Sequence, residues 1–350
     1  MKLLIDLNHP AHVHLFRHAI HAWQQDGHQV IITARDKEVT TRLLDLYGIS
    51  YTLTTRPIHS LAGKAWELLR QDHILYQLAV RHGIELMLGT SIGITHISRI
   101  TSAKSLFFNE DDASVDKTSF YLAYPFADAI ITPDCLSDIK TSKYVTYPSY
   151  HELAYLHPNR FQPDPSVFSL LGVSANEPYF VLRLVALKAD HDLGQKGISP
   201  SFQRRLIHFL SDYGRVFITS ETPLPQDLEP YRIPVPPHRM HDVLAFASML
   251  ISDSQTMTAE AAVLGIPAIR CNTFVGRCST LDELENRYGL TYGFLPHAEE
   301  AMLEKITFLL KEKSTKEQWC EKRERMLKEK IDLTAWMLDF ISNYYQKHFG

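Results

Sequence analysis

SDSQTMTAEAAVLGIPAI, residues 252–269, reads as a strand end, a tight polar loop and the opening of a helix. The preceding apolar run, residues 249–253, has strand character, and Ala259, Ala262 and Val263 then follow at helical spacing until Gly265 and Pro267 stop the helix. Ser254 or Thr256 is placed to cap it. First-turn amides have no partners inside a helix, and with the positive end of the dipole they favour an anion. A phosphate is therefore expected at Ser254, Gln255, Thr256 and Met257, with Glu260 one turn on to accept hydrogen bonds from sugar hydroxyls. Ordinary capped junctions look alike, with Glu260 then only a dipole partner, so the remainder of the chain must discriminate.

A length of 350 residues suits about two domains. The net charge of −4, with no basic stretch dominating outside the C-terminal helix, argues against a nucleic-acid partner. MKLLIDLNHP reads as a first strand rather than a secretion signal, and no apolar run approaches membrane-spanning length. Cys135, Cys271, Cys278 and Cys320 form no CxxC pair, so neither a disulfide scaffold nor a metal site is expected. The expected compartment is the cytoplasm, with peripheral contact at the inner membrane face left open.

Short strand-like runs alternate with longer helical ones through two successive halves, which predicts α/β domains with parallel sheets. KLLIDL, QVIITA, SYTLT, IELMLG, KSLFFN, DAIITP and KYVTY read as strands of the first, with helices near 12–26, 37–47, 64–81 and 91–102. YFVLRL, RVFITS, RIPV, MLISD, PAIRC and TYGF are the strands expected in the second, with helices near 199–213, 241–247, 256–264 and 298–312. Pro158, Pro163 and Pro165 mark a stiff linker. The expected division is a Rossmann-like domain over 1–156, a linker over 157–166 and a second Rossmann-like domain over 167–330. A final helix over 331–350, whose apolar stripe includes Trp336, Phe340 and Tyr344, is expected to pack back on the first domain. The Lys/Glu-rich segment 311–330 reads as a solvated helix.

DSQTMTAEAAVLGIPAI resembles the DSGG-type loop and helix of the non-hydrolysing UDP-N-acetylglucosamine 2-epimerases, and more loosely that of the peptidoglycan lipid-linked N-acetylglucosaminyltransferase. HPAHVHLFR, LRLVALKADHD and DSQTMTAEAAVLGIPAIRCNTF together resemble an uncharacterised GT-B-like family, of the domain-of-unknown-function 354 type, over nearly the whole chain. The resemblance implies a GT-B fold, two Rossmann-like domains with their sheets facing a central cleft. It also implies that Ser254, Gln255, Thr256 and Met257 bind the diphosphate of a nucleotide sugar, and that Glu260 holds its ribose. Met240 matches a residue that packs on the uracil base, with Pro237 or His238 at the base edge. Arg183, Lys188, His191 and Ser220, at or beyond the ends of strand-like runs, join this nucleotide-sugar site, Arg183 as a phosphate donor. Gln255 and Thr256 stand where the resembling enzymes carry glycine.

The first strand-to-helix junction, DLNHPAHVHLFRH, lacks the GxGxxG that lets a pyrophosphate approach the backbone, which argues against a nicotinamide or flavin cofactor. It offers histidines. His12 aligns with a histidine of the peptidoglycan transferase, on the acceptor side, and a neutral imidazole there could take the proton of an attacking hydroxyl. His9, His14 and His18 compete for that role, while Glu110 and Asp111, with Asp112, are candidates for acid, base or orienting group. Residues 56–81, mixing Trp66 and Leu69 with Lys64 and Arg70, read as an amphipathic helix that packs normally or meets a lipid-linked acceptor.

The reading is therefore an inverting, metal-independent GT-B glycosyltransferase that takes a sugar from a UDP-linked donor to a glycan or lipid-linked acceptor, in cell-surface polysaccharide or glycolipid synthesis. No cofactor is required. A UDP-sugar 2-epimerase is the alternative, although the epimerase TxHRxEN stretch is not reproduced around KADHD; a non-catalytic nucleotide-sugar binder is the third. Homodimerisation is left open.

Overall fold

The computed structural model describes residues 1–350 apart from 57–59, 137–140 and 186–195. The chain forms two compact units, Met1–Arg160 with Ile331–Gly350, and Phe161–Lys330.

The first unit runs β1 (Lys2–Leu7), α1 (Pro10–Gln25), β2 (Gln29–Ala34), α2 (Glu38–Leu46), β3 (Thr52–Leu53), α3 (Leu61–His82), β4 (Leu86–Gly89), α4 (Ile92–Ser98), β5 (Lys104–Phe108), α5 (Lys117–Leu122), β6 (Ala129–Pro133) and β7 (Tyr144–Tyr147). Among the described residues its strands form a parallel sheet in the order β3-β2-β1-β4-β5-β6-β7. Leu3, Leu4, Ile5 and Leu7 of β1 are all fully buried, as a central parallel strand covered on both faces requires. α1 begins at Pro10, whose missing amide costs nothing at the first helical position, and buries Val13, Phe16, Ile20 and Trp23. Gly89 ends β4 beside Asp6 of β1, at φ 148°, where an added Cβ would lie 2.7 Å from the Asp6 carbonyl oxygen. Gly89→Ala should therefore cost about 3 kcal/mol of stability, through backbone overlap and a conformation disfavoured by L side chains. A denaturant titration showing a loss below about 1 kcal/mol would contradict this account.

The second unit runs α6 (Val167–Leu171), β8 (Tyr179–Leu184), α7 (Pro200–Ser211), β9 (Arg215–Ser220), α8 (Met240–Phe246), β10 (Met249–Ser252), α9 (Gln255–Leu264), β11 (Ala268–Cys271), α10 (Ser279–Asn286), β12 (Thr291–Phe294), α11 (Glu299–Lys311) and α12 (Thr315–Glu329). Its described strands form a parallel sheet in the order β12-β11-β10-β8-β9. RIPV, expected as a strand, makes a single bridge among the described residues, Arg232 beside Ile218. Pro234 and Pro236 lack the amide donors that a longer ladder needs. α12 is also more than a solvated helix: Trp319 and Met326 are buried, and the Trp319 indole donates to the Leu290 carbonyl at 2.9 Å.

The chain then returns to the first unit as α13 (Leu333–Phe349). Leu333, Met337 and Ile341 are fully buried, Thr334 Oγ1 donates to the Ala154 carbonyl at 2.7 Å, and Arg160 Nε meets Asp332 at 2.8 Å. Among the described residues no helix is long and apolar enough to cross a membrane.

Candidate functional site

In the second unit, β10 feeds directly into α9 through Asp253 and Ser254. Ser254 is the cap: its Oγ accepts from the Met257 amide at 3.3 Å, and its own amide donates to Ser252 Oγ at 2.8 Å. Residues 254–257 are partly exposed, whereas Thr258 through Leu264 are buried, so only the first turn of α9 faces outward. That turn carries the open Gln255 and Thr256 amides and the positive end of the helix dipole. The Gln255 side chain is engaged by the residue preceding α10, its Oε1 accepting from the Cys278 thiol.

Asp253 is the group next to this turn. Its Oδ1 accepts from the Val185 amide at 2.7 Å, and its carbonyl receives Asn272 Nδ2 at 2.9 Å. Burial pushes its carboxyl up to about 7, against the Val185 hydrogen bond and the Arg183 charge, which pull the other way. Gly197 lies so near that an added Cβ would fall 2.5 Å from Asp253 Oδ2.

Arg183 shares its register row with Ser252 of β10 and Thr219 of β9. Its guanidinium donates to Thr219 Oγ1 at 3.2 Å and to Glu221 at 2.6 Å, while Nε is buried without a partner. Ser220 Oγ accepts from the Thr222 amide at 3.1 Å. Pro237 and His238 lie in a short 3-10 turn leading to Met240, the first residue of α8, and all three are half-buried. Glu260 is buried and hydrogen-bonded to His241, Oε1 to Nε2 at 3.0 Å, so α8 and α9 each contribute one side of a pair. Lys188 and His191, with the rest of ADHD, lie outside the described residues.

In the first unit the four histidines of the first junction separate by what they touch. His9 caps α1, its Nδ1 accepting from the Ala11 amide at 3.2 Å. His14 is buried against Tyr155, with ring centroids 5.2 Å apart. Burial and the Arg17 charge push His18 down to about 4. His12 is half-buried, with Thr90 Oγ1 astride its ring edge at 2.8 Å from Nδ1 and 3.0 Å from Nε2. Dense surroundings, then the nearby His9, His151 and Lys37, hold it well below the ordinary imidazole value, so it is neutral at pH 7.

Glu110 meets His151, with Oε2 3.1 Å from Nδ1. The His151 ring stacks on Tyr147 at 6.4 Å and 19°, and its Nε2 and the Tyr147 hydroxyl are buried without hydrogen-bond partners. Asp111 is half-buried, and its carbonyl accepts from Asn109. On β1, the buried Asp6 carboxylate accepts from Thr33 at 2.6 Å and Gln71 at 2.7 Å, and burial raises its pKa.

Asp253, His241 and His151 were not among the sequence-predicted site residues. Asp253 had a signal, since it stands immediately before the helix cap; the two histidines had none, because each is defined by a carboxylate remote in sequence.

Over residues 1–345 the sequence matches the family described as protein of unknown function (DUF354). It is 22% identical over 293 residues to the uncharacterised protein MJ0665 of Methanocaldococcus jannaschii, covering 77% of this chain and 82% of that one. The structure is similar to UDP-GlcNAc 2-epimerase from Neisseria meningitidis bound to UDP-GlcNAc, with a TM-score of 0.66 at 11% identity, covering 99% of this chain and 100% of that one. It is also similar to MurG of Acinetobacter baumannii, with a TM-score of 0.60 at 13% identity, covering 98% and 100% of the two chains. These likenesses, with the two parallel-sheet units, show the GT-B fold.

Proposed function

The chain belongs to the DUF354 family, and we propose that it is an inverting, metal-independent glycosyltransferase using a UDP-sugar, in cell-surface polysaccharide or glycolipid synthesis. The observation that carries the proposal is α9, whose first turn alone is open and is capped by Ser254 directly after β10. The diphosphate sits on the Gln255, Thr256 and Met257 turn, with Arg183, Lys188, His191 and Ser220 as further polar partners. His241 orients Glu260 toward the ribose hydroxyls, and Met240 with Pro237 and His238 meets the base. His12, neutral at pH 7, takes the proton of the acceptor hydroxyl as its oxygen bonds to the anomeric carbon. The bond from that carbon to the diphosphate breaks on the opposite face, and the helix dipole stabilises the charge left on the diphosphate.

Calorimetric titration with UDP and UDP-sugars tests this reading. Binding is expected at about 1 mM or tighter, with a matching rise in melting temperature. Glu260→Ala should weaken binding about tenfold and, by removing the buried hydrogen bond to His241, lower stability by about 2 kcal/mol. No binding by any UDP-sugar, together with an unaltered Glu260→Ala protein, would overturn it.

One observation favours a second reading, a UDP-sugar 2-epimerase: Glu110 holds the near nitrogen of His151 while the far nitrogen has no partner, an acid–base arrangement. Incubation with UDP-N-acetylglucosamine and no acceptor separates the two. A 2-epimer in that mixture would replace the transferase reading.

A further inference from the structure

A cavity of about 460 Å3 opens beyond the carboxyl ends of β2 and β3, against the first turns of α3. Asp36, Thr55 and Arg56 line one side, and Trp66, Glu67 and Arg70 the other. The polar walls are fixed by their own contacts. Thr55 Oγ1 donates to Glu67 at 3.1 Å, Arg35 Nε lies 2.6 Å from the same carboxylate, and Arg56 Nε lies 2.6 Å from Asp36. Two acids thus balance two arginines. Arg70 is left over, an exposed guanidinium with no carboxylate within ion-pair distance among the described residues.

Trp66 precedes Arg70 by one helical turn, so indole and guanidinium share a face of α3. The indole is 65% exposed, while Trp23 and Trp319 are buried at 2% and 1%. An indole left in water above hydrogen-bonding walls is suited to the apolar C–H face of a pyranose, whose hydroxyls reach the rim. The volume lies at the small end of the usual range for small-molecule sites, ~300–1,000 Å3, with room for a sugar unit and not for a peptide segment. The surplus cation selects charge, because a guanidinium pairs bidentately with carboxylate or phosphate.

We propose that this pocket binds an acidic sugar unit, its ring laid on Trp66 and its carboxylate or phosphate on Arg70. Its place as part of the acceptor rests on the glycosyltransferase reading; the binding itself does not.

Tryptophan fluorescence tests the pocket in the full chain without any nucleotide, because Trp66 is far more exposed than the buried Trp23 and Trp319 and the half-buried Trp336. D-glucuronate, glucose 1-phosphate and methyl α-glucoside serve as probes. A saturable change is expected with glucuronate if the anion is a carboxylate, or with glucose 1-phosphate if it is a phosphate, and a weaker response with the neutral glucoside. Arg70→Gln should weaken binding of the acidic probe about tenfold, a charge-assisted hydrogen bond's worth, with an unchanged melting temperature. Trp66→Leu should abolish the signal and weaken binding by calorimetry. Equal affinity for the neutral glucoside, full affinity in Arg70→Gln, or no saturable change with any probe up to about 50 mM would overturn the proposal. Titration with UDP-sugars on the same sample fails or succeeds separately, so loss of the donor reading and loss of this pocket are distinguishable.

Discussion

Asp253→Asn is expected to raise unfolding free energy above pH 7 by about 4 kcal/mol and to change it little near pH 4. The buried Asp253 carboxyl is pushed up to about 7 from an ordinary value of 3.8. Below the ordinary value both folded and unfolded chains hold the proton, and the group contributes no pH dependence. Between the two values only the folded chain holds it, so stability falls by about 1.4 kcal/mol per pH unit as pH rises. Above about 7 the folded chain must carry a buried carboxylate and the whole penalty is present. Asparagine has the shape of the protonated acid and its oxygen can still accept from the Val185 amide, but it cannot ionise. Asp6 is shifted in the same direction, so the quantity to measure is the difference between variant and wild type in denaturant titrations from about pH 4 to 8. A difference independent of pH would refute the assignment. The same titration bears on the proposed diphosphate seat, because ionisation places a negative charge beside the first turn of α9. Wild-type affinity for UDP should therefore decline through pH 7, and affinity in Asp253→Asn should not.

His12→Ala is expected to slow sugar transfer by about 100- to 10,000-fold, the range for removing a positioned general base, while UDP-sugar binding persists. Among the histidines of the first junction, His9 is committed to capping α1, His14 to ring packing and His18 to Arg17, whereas His12 is half-buried beside Thr90. Because burial and neighbouring positive groups hold it below the ordinary imidazole value, the acid limb of the rate should fall below about pH 6.5. Single-turnover rates with a supplied acceptor measure both. Retention of the rate in His12→Ala, with its loss in His151→Ala, would move the base to the Glu110–His151 pair.

Much of the fold was legible because its signals are local. The apolar runs of β1, β4 and β10 mark strands, Pro10 opens α1, and Ser254 and Gly265 bracket α9 within a dozen residues. RIPV failed for the converse reason, since its apolar residues suggested a strand while its prolines withheld the amides that a ladder needs. The burial of Trp319 under a Lys/Glu-rich pattern was hidden because its partner, the Leu290 carbonyl, lies on another element.

The candidate site divides in the same way. The α/β alternation, the helix opening at Ser254 and the missing glycine fingerprint after β1 are written in local residue order, because strand, cap and turn preferences act over a few residues. That Glu260 meets His241, that Glu110 meets His151 and that Asp253 is buried enough to titrate near neutrality emerges from the folded chain. Those outcomes depend on which groups long-range packing brings together and how completely it removes water from them, and no local pattern of residues encodes either.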